Sequence, residues 1–112
     1  MKIRLLSALF AGLYVSSIHV HAAERSNLLI ESVRYYTSEQ ATVAARKYAI
    51  FKVNQTLSGG CNSLYIKIED SSALSMVLMA KAQKSPVLVG YEEQVRGVFD
   101  STSCSLVHIE LL

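Results

Sequence analysis

The sequence predicts a mainly β domain with one helix, its elements running β-β-β-α-β-β. Three observations carry this. Residues 28–69 contain three stretches rich in β-branched and aromatic side chains, residues 73–84 form one nearly unbroken apolar run of helix formers, and residues 87–112 return to strand-like sequence after the only proline, Pro86. A chain of 112 residues, 51% hydrophobic and 18% charged, has room for one domain and none for a separate cofactor module. One proline and five glycines in an apolar majority exclude a disordered or collagen-like chain.

The first element is an export signal. Met1-Lys2-Ile3-Arg4 is followed by an apolar run from Leu5 to Val15 and a polar segment ending Val20-His21-Ala22. Two cations, a short apolar core and a small residue at the junction have the layout of a secretory signal peptide. The run is too short for a confident membrane span, which needs about 20 apolar residues. Cleavage is expected after Ala22, making 1–22 the signal peptide and 23–112 a single domain without a membrane span, periplasmic or secreted. Lys2 and Arg4 leave with the signal, so the cations left balance the nine acids and the net charge falls from +2 to zero. A nucleic-acid binder carries a basic excess on its domain, and none is expected as a partner here. Of three histidines only His108 remains.

Residues 28–37 (LLIESVRYYT) read as the first strand and 45–54 (ARKYAIFKVN) as the second. In the second, Ala49, Phe51 and Val53 share one face, with Tyr48 and Lys52 on the other. Between them, 37–45 reads as a loop or one turn, although Thr37 and Gln40 have the spacing of a capping box. Residues 64–69 show the cleanest alternation, Leu64, Ile66 and Ile68 against Tyr65, Lys67 and Glu69.

Asp70-Ser71-Ser72 offers an N-cap for a helix over 73–84, with Lys81 and Lys84 at the negative end of its dipole and Pro86 preventing continuation. Residues 87–93 form the fourth strand, with 95–99 its bulged continuation or a short partner. Residues 105–112 form the last, with Val107, Ile109 and Leu111 inward and His108 and Glu110 outward. This is the order of the five-stranded Greek-key barrel called the OB-fold, whose helix lies between its third and fourth strands. The alternative is an open mixed sheet covered by one helix.

Cys61 and Cys104 are an even pair in an exported chain, so one disulfide is expected. With no CxxC motif and one histidine left, a metal site is not expected, nor is any cofactor. No arrangement of nucleophile and base is visible, and the adjacent acids Glu92-Glu93 and Glu69-Asp70 point to opposite faces of a strand. The reading is a non-catalytic binding module. Its candidate ligand site is Tyr35, Tyr36, Thr37 and Ser38, where aromatic rings stand beside hydroxyls at the end of the first strand, as sugar recognition requires. The helix has Leu74, Val77 and Leu78 on one side and is apolar further round, through Ala73, Met76, Met79 and Ala80. Such a helix needs cover on its second face. Those last four residues are therefore the candidate oligomer interface.

The turn Ser58-Gly59-Gly60-Cys61-Asn62, the apolar helix, and Lys84-Ser85-Pro86-Val87-Leu88-Val89-Gly90-Tyr91-Glu92 after it resemble the B subunits of bacterial AB5 toxins, in particular the subtilase-cytotoxin and pertussis-like group. The likeness follows most of the chain in order but holds no diagnostic motif. It implies a ring homopentamer with helices lining a central pore, and a host glycan as ligand. Sialoglycan-binding members place a serine near the start of the first strand, where this chain has Asn27 or Leu28 beside Ser26, so that site is not carried over. The alternative function is a monomeric periplasmic protein that inhibits an enzyme or serves the envelope through a partner protein.

Overall fold

The computed structural model describes residues 22–112, so the expected signal peptide, except for Ala22, lies outside the described residues. Six strands, β1 (Ala22–Leu28), β2 (Ile30–Tyr35), β3 (Tyr48–Val53), β4 (Ser63–Lys67), β5 (Val87–Gly97) and β6 (Asp100–Leu111), accompany one helix, α1 (Ser71–Gln83). They form one mixed sheet in the order β1-β5-β6-β4-β3-β2. All neighbours are antiparallel except β4 and β6, which run parallel with Leu64 opposite Cys104. The expectation of a mainly β fold with one helix holds, with six strands in place of the expected five, so that the helix lies between β4 and β5, and the sheet is mixed, as the open-sheet alternative has it.

The two edge strands are consecutive in the chain. Only Leu29 separates β1 from β2, and Asn27 turns the backbone with a left-handed φ of 61°. Asn54 grips that junction from the end of β3: its side-chain oxygen accepts the Leu29 N–H at 2.9 Å, and its own N–H donates to the Leu29 carbonyl at 2.9 Å. Gln55 adds a bond to the Asn27 carbonyl and accepts one from Arg25. The first strand therefore begins well before residue 28 and ends at Tyr35 rather than Thr37. Glu24, Arg25 and Ser26 are exposed on an edge strand, which hid the strand behind a polar composition. Thr37 leaves the sheet because its carbonyl accepts the Gln40 N–H, making the turn expected there in place of a helix.

The core lies between α1 and one face of the sheet. Leu28, Phe51, Leu64, Val77, Val87, Val89 and Tyr91 are all 1% exposed or less. Ala49 and Phe51 point into it as the alternation predicted, as do Leu64 and Ile66. Cys61 and Cys104 form the expected disulfide inside this cluster, their Cα atoms 5.6 Å apart and 43 positions apart in sequence. The bond joins the entry to β4 to the middle of β6. It reinforces the parallel pairing, which cannot be supported by a hairpin.

Helix α1 begins two residues earlier than expected. Asp70 stands at its N-cap without a side-chain bond to the helix, and Lys84 closes it in the left-handed conformation, φ 54°. The Ser85 N–H reaches back to the Ala80 carbonyl at 3.0 Å before Pro86. Strand β5 runs on through Gly97 with shifts of register after Glu92, the bulged continuation expected from the sequence.

Strand β6 starts at Asp100, five residues before the expected start, because Gly97 and Asp100 pair directly across a tight hairpin. Its inward set also differs. Gly90 pairs with His108 and Tyr91 with Leu106, which leaves Val107 as the extra residue of a bulge, 51% exposed. Leu106 packs on the core in its place, and Ile109 and Leu111 pack there as expected. His108 lies outward as expected, its ring over Gly90 and its Nε2 3.1 Å from a carboxylate oxygen of Glu24 on β1.

Candidate functional site

The face of the sheet opposite the core carries the candidate site. Strand alternation and the observed register place Ser32 and Arg34 of β2 beside Lys52 and Ile50 of β3, and Ile50 and Tyr48 beside Tyr65 and Lys67 of β4. Tyr36, whose N–H donates to the Tyr48 carbonyl, extends the β2 row, and Ser63 extends the β4 row. Phe99, in the turn between β5 and β6, folds over this surface. Its ring centroid is 4.9 Å from Tyr48, 5.8 Å from Tyr36 and 5.8 Å from Tyr65, and Tyr48 meets Tyr65 edge-on at 5.4 Å. Four rings tilted against one another make a second apolar layer outside the core. They bury Tyr65 and Ile50 to 8% and 7% exposure.

Cavities open on both sides of these rings. A cleft of about 140 Å³ is lined by Ser32, Arg34, Tyr36, Ile50, Lys52, Ser63 and Asp100. Its polar groups are varied: two cations, one carboxylate and two hydroxyls around a ring edge. One Asp100 oxygen already accepts the Thr102 N–H and hydroxyl, at 2.9 and 2.7 Å. The register mate of Ser63 on β6, Ser103, is fully buried with its hydroxyl unpartnered. At the other end a wider hollow of about 490 Å³ is lined by Arg46, Lys47, Tyr48, Lys67, Ile68 and Glu69. Arg46 is held in place there by a 2.7 Å bond from Nε to the Gln40 carbonyl. Arg34, Arg46, Lys47, Lys52 and Lys67 all lie farther than 4.0 Å from any described carboxylate oxygen.

The four residues expected to bind ligand are divided by the structure. Tyr36 joins the ring cluster and lines the smaller cleft. Tyr35, one step along the strand, pairs with Ala49 on the opposite face and is 52% exposed. The Thr37 hydroxyl accepts the Glu39 N–H at 3.2 Å inside the turn, and Ser38 stands exposed in that turn. The residues that accompany Tyr36 come instead from β3, β4 and the β5–β6 turn. Tyr48 and Lys52 were visible in the sequence as the non-core face of the second strand. Phe99 carried no such signal, because it arrives from a turn remote in sequence.

The expected interface residues of α1 are divided too. Ala80 is 1% exposed, and Ala73 is half-buried against the core, so these two serve the protomer's own packing. Met76 is half-buried, and Met79 lies at the surface, 40% exposed. Leu78 projects into solvent at 50% exposure although the sequence grouped it with Val77. The turn at Ser58–Gly60 is clamped by β5: Tyr91 Oη accepts the Ser58 N–H at 3.0 Å, Glu93 accepts the Ser58 hydroxyl, and the Arg96 guanidinium donates to the Gly59 carbonyl. Glu93 is thereby a structural partner.

Among the described residues no helix is long and apolar enough to cross a membrane, and no group of three or more His, Cys, Asp or Glu could hold a metal ion. Comparison with known families, curated proteins and solved structures finds no match to this chain.

Proposed function

We propose that this chain is an exported, non-catalytic module that binds carbohydrate on the outer face of β2, β3 and β4. The observation that carries the reading is the cleft beside Tyr36, where Arg34, Lys52, Asp100, Ser32 and Ser63 converge. A sugar ring presents C–H faces that pack on aromatic surface, and hydroxyls that both donate and accept. The cleft offers each kind of partner: guanidinium and ammonium donors, a carboxylate acceptor, and hydroxyls of either sense. Charged partners strengthen such hydrogen bonds and fix the sugar's orientation.

The same reading takes the fold as an OB-like barrel. In it β1 and β2 are halves of one bent first strand, so that β5 and β3 flank the two ends of that strand. The parallel β4–β6 pair and the helix between β4 and β5 support it, and the cleft then lies where ligands meet OB-folds, on the face of the second and third strands. Outward-facing Leu78 and Met79 on α1 favour a ring of protomers, with the toxin B-like role that the resemblance implies, over the monomeric alternative.

The test is a glycan array probed with the oxidised protein, followed by calorimetry on the best hit with Tyr36→Ala and Arg34→Ala. Each variant is expected to weaken binding by about tenfold or more while leaving the circular dichroism unchanged. Full affinity in both variants, or an array with no hit, overturns the proposal. Light scattering on the same sample gives the number of protomers, and a monomer at micromolar concentration removes the ring.

A further inference from the structure

Charge on this molecule is not spread as its balanced total suggests. Of the 11 Lys and Arg, Lys2 and Arg4 precede the described residues, and five of the rest, Arg34, Arg46, Lys47, Lys52 and Lys67, line the two cavities beside the aromatic cluster. Of the nine acids only Glu69 and Asp100 line them, and Asp100 is engaged with Thr102. Cations drawn to one face without a carboxylate within bridging distance leave a positive field there, which only an anionic occupant neutralises. The two cavities share one continuous surface. Tyr48 lines the larger one and Lys52 the smaller, four residues apart on the same face of β3, which at the rise of an extended strand is roughly 13 Å.

We infer that this face takes an extended sulfated carbohydrate, with its sulfate groups seated in both cavities and its sugar rings crossing the Tyr36–Phe99–Tyr48 cluster between them. The inference rests on the carbohydrate reading above and adds the ligand's charge and length. The ring geometry favours a saccharide over a single-stranded nucleic acid. Tyr36, Tyr48, Tyr65 and Phe99 pack on one another with interplanar angles of 64°, 79°, 41° and 77°, so they do not form a row of free parallel platforms on which successive bases could stack. The phenol hydroxyls of the three tyrosines suit the O–H groups of a saccharide. Arg46, fixed through its Nε, keeps its terminal nitrogens for a sulfate.

The experiment compares one heparin-derived hexasaccharide in sulfated and chemically desulfated forms, with a thymidine hexanucleotide as a third probe, by calorimetry at two salt concentrations. The sulfated sugar is expected to bind at least about tenfold more tightly than the desulfated one and to lose affinity as salt rises. Lys67→Glu, in the larger cavity, is expected to cost about tenfold or more, whereas Lys81→Glu on α1 leaves binding within about twofold. Equal binding of the two sugar forms overturns this inference and leaves the carbohydrate reading standing. Failure of both forms to bind, with an empty glycan array, overturns both. An oligonucleotide bound as tightly as the sulfated sugar, or equal losses in Lys67→Glu and Lys81→Glu, also overturns it.

Discussion

Gly59 and Gly60 form a matched pair for measuring one side-chain contact. Both lie in the short turn before β4 with nearly the same left-handed φ, 73° and 76°. A Cβ on Gly60 would meet nothing nearer than an Arg96 nitrogen at 3.9 Å, whereas a Cβ on Gly59 would lie 2.6 Å from the Glu93 Cγ and Cδ atoms. Replacing Gly60 by alanine therefore costs the backbone term alone, about 1 kcal/mol for a left-handed L-residue. Gly59→Ala incurs the same term and also displaces Glu93 from the Ser58 hydroxyl. That hydrogen bond to a charged group contributes about 1 kcal/mol once its solvent exposure is discounted. The expected costs are about 1 kcal/mol for Gly60→Ala and about 2 kcal/mol for Gly59→Ala, or melting points lowered by roughly 5 °C and 10 °C. Scanning calorimetry on the oxidised protein reads both. In a Glu93→Ala background the cost of Gly59→Ala should fall to that of Gly60→Ala. Equal costs for the two glycines, or no relief in that background, would refute the assignment of the difference to Glu93.

Two further outcomes follow from packing. Replacing both Cys61 and Cys104 by alanine opens a loop of 43 positions and should cost about 4 kcal/mol by the chain-entropy relation, read as a fall in the urea midpoint against the oxidised parent. Leu64→Ala, at a site with no exposed surface, should cost about 3 kcal/mol, while Leu78→Ala, at 50% exposure, should change monomer stability by less than about 0.5 kcal/mol; similar costs at the two sites in urea melts would show that Leu78 is covered in solution.

The parts of the fold that were legible in sequence are those specified locally. Alternation in Leu64-Tyr65-Ile66 and Ala49-Ile50-Phe51 assigned faces that the structure keeps, and the helix before Pro86 needed only its run of strong helix formers and its terminal lysines. Strand β1 was not legible because an edge strand with Glu24, Arg25 and Ser26 outward carries little hydrophobic signal. Val107 lies on the other side from its expected one because a single bulge, invisible to a period of two, shifts the alternation there and brings Leu106 inward, while Ile109 and Leu111 keep their faces. Periodicity groups Leu78 with Leu74 and Val77 on one side, yet a helix apolar nearly all round has no stripe from which to choose its buried side. The site shows the same division. Tyr36 was within reach of composition, but Phe99 reaches it through the geometry of a distant hairpin, and Arg46 is made useful by a backbone carbonyl in the preceding loop.

The joining of two sheet edges by the single residue Leu29 has a consequence for the order in which the molecule is completed. Strand β1 holds the first described residue, Ala22, yet its partner in the sheet is Glu92 of β5. A chain delivered from its N-terminus thus presents β1 ahead of β2, β3 and β4, and long before the β5 strand it pairs with. Strand β4 likewise waits for β6, and Cys61 for Cys104. Only β2, β3 and β4 can associate early, through local antiparallel pairing. Contacts of such long sequence separation carry a loop-closure entropy that slows folding. Closure of the sheet is therefore a late event: β1 has no partner until β5 is made, and the second edge of β4 and the Cys61 thiol have none until β6 brings Cys104.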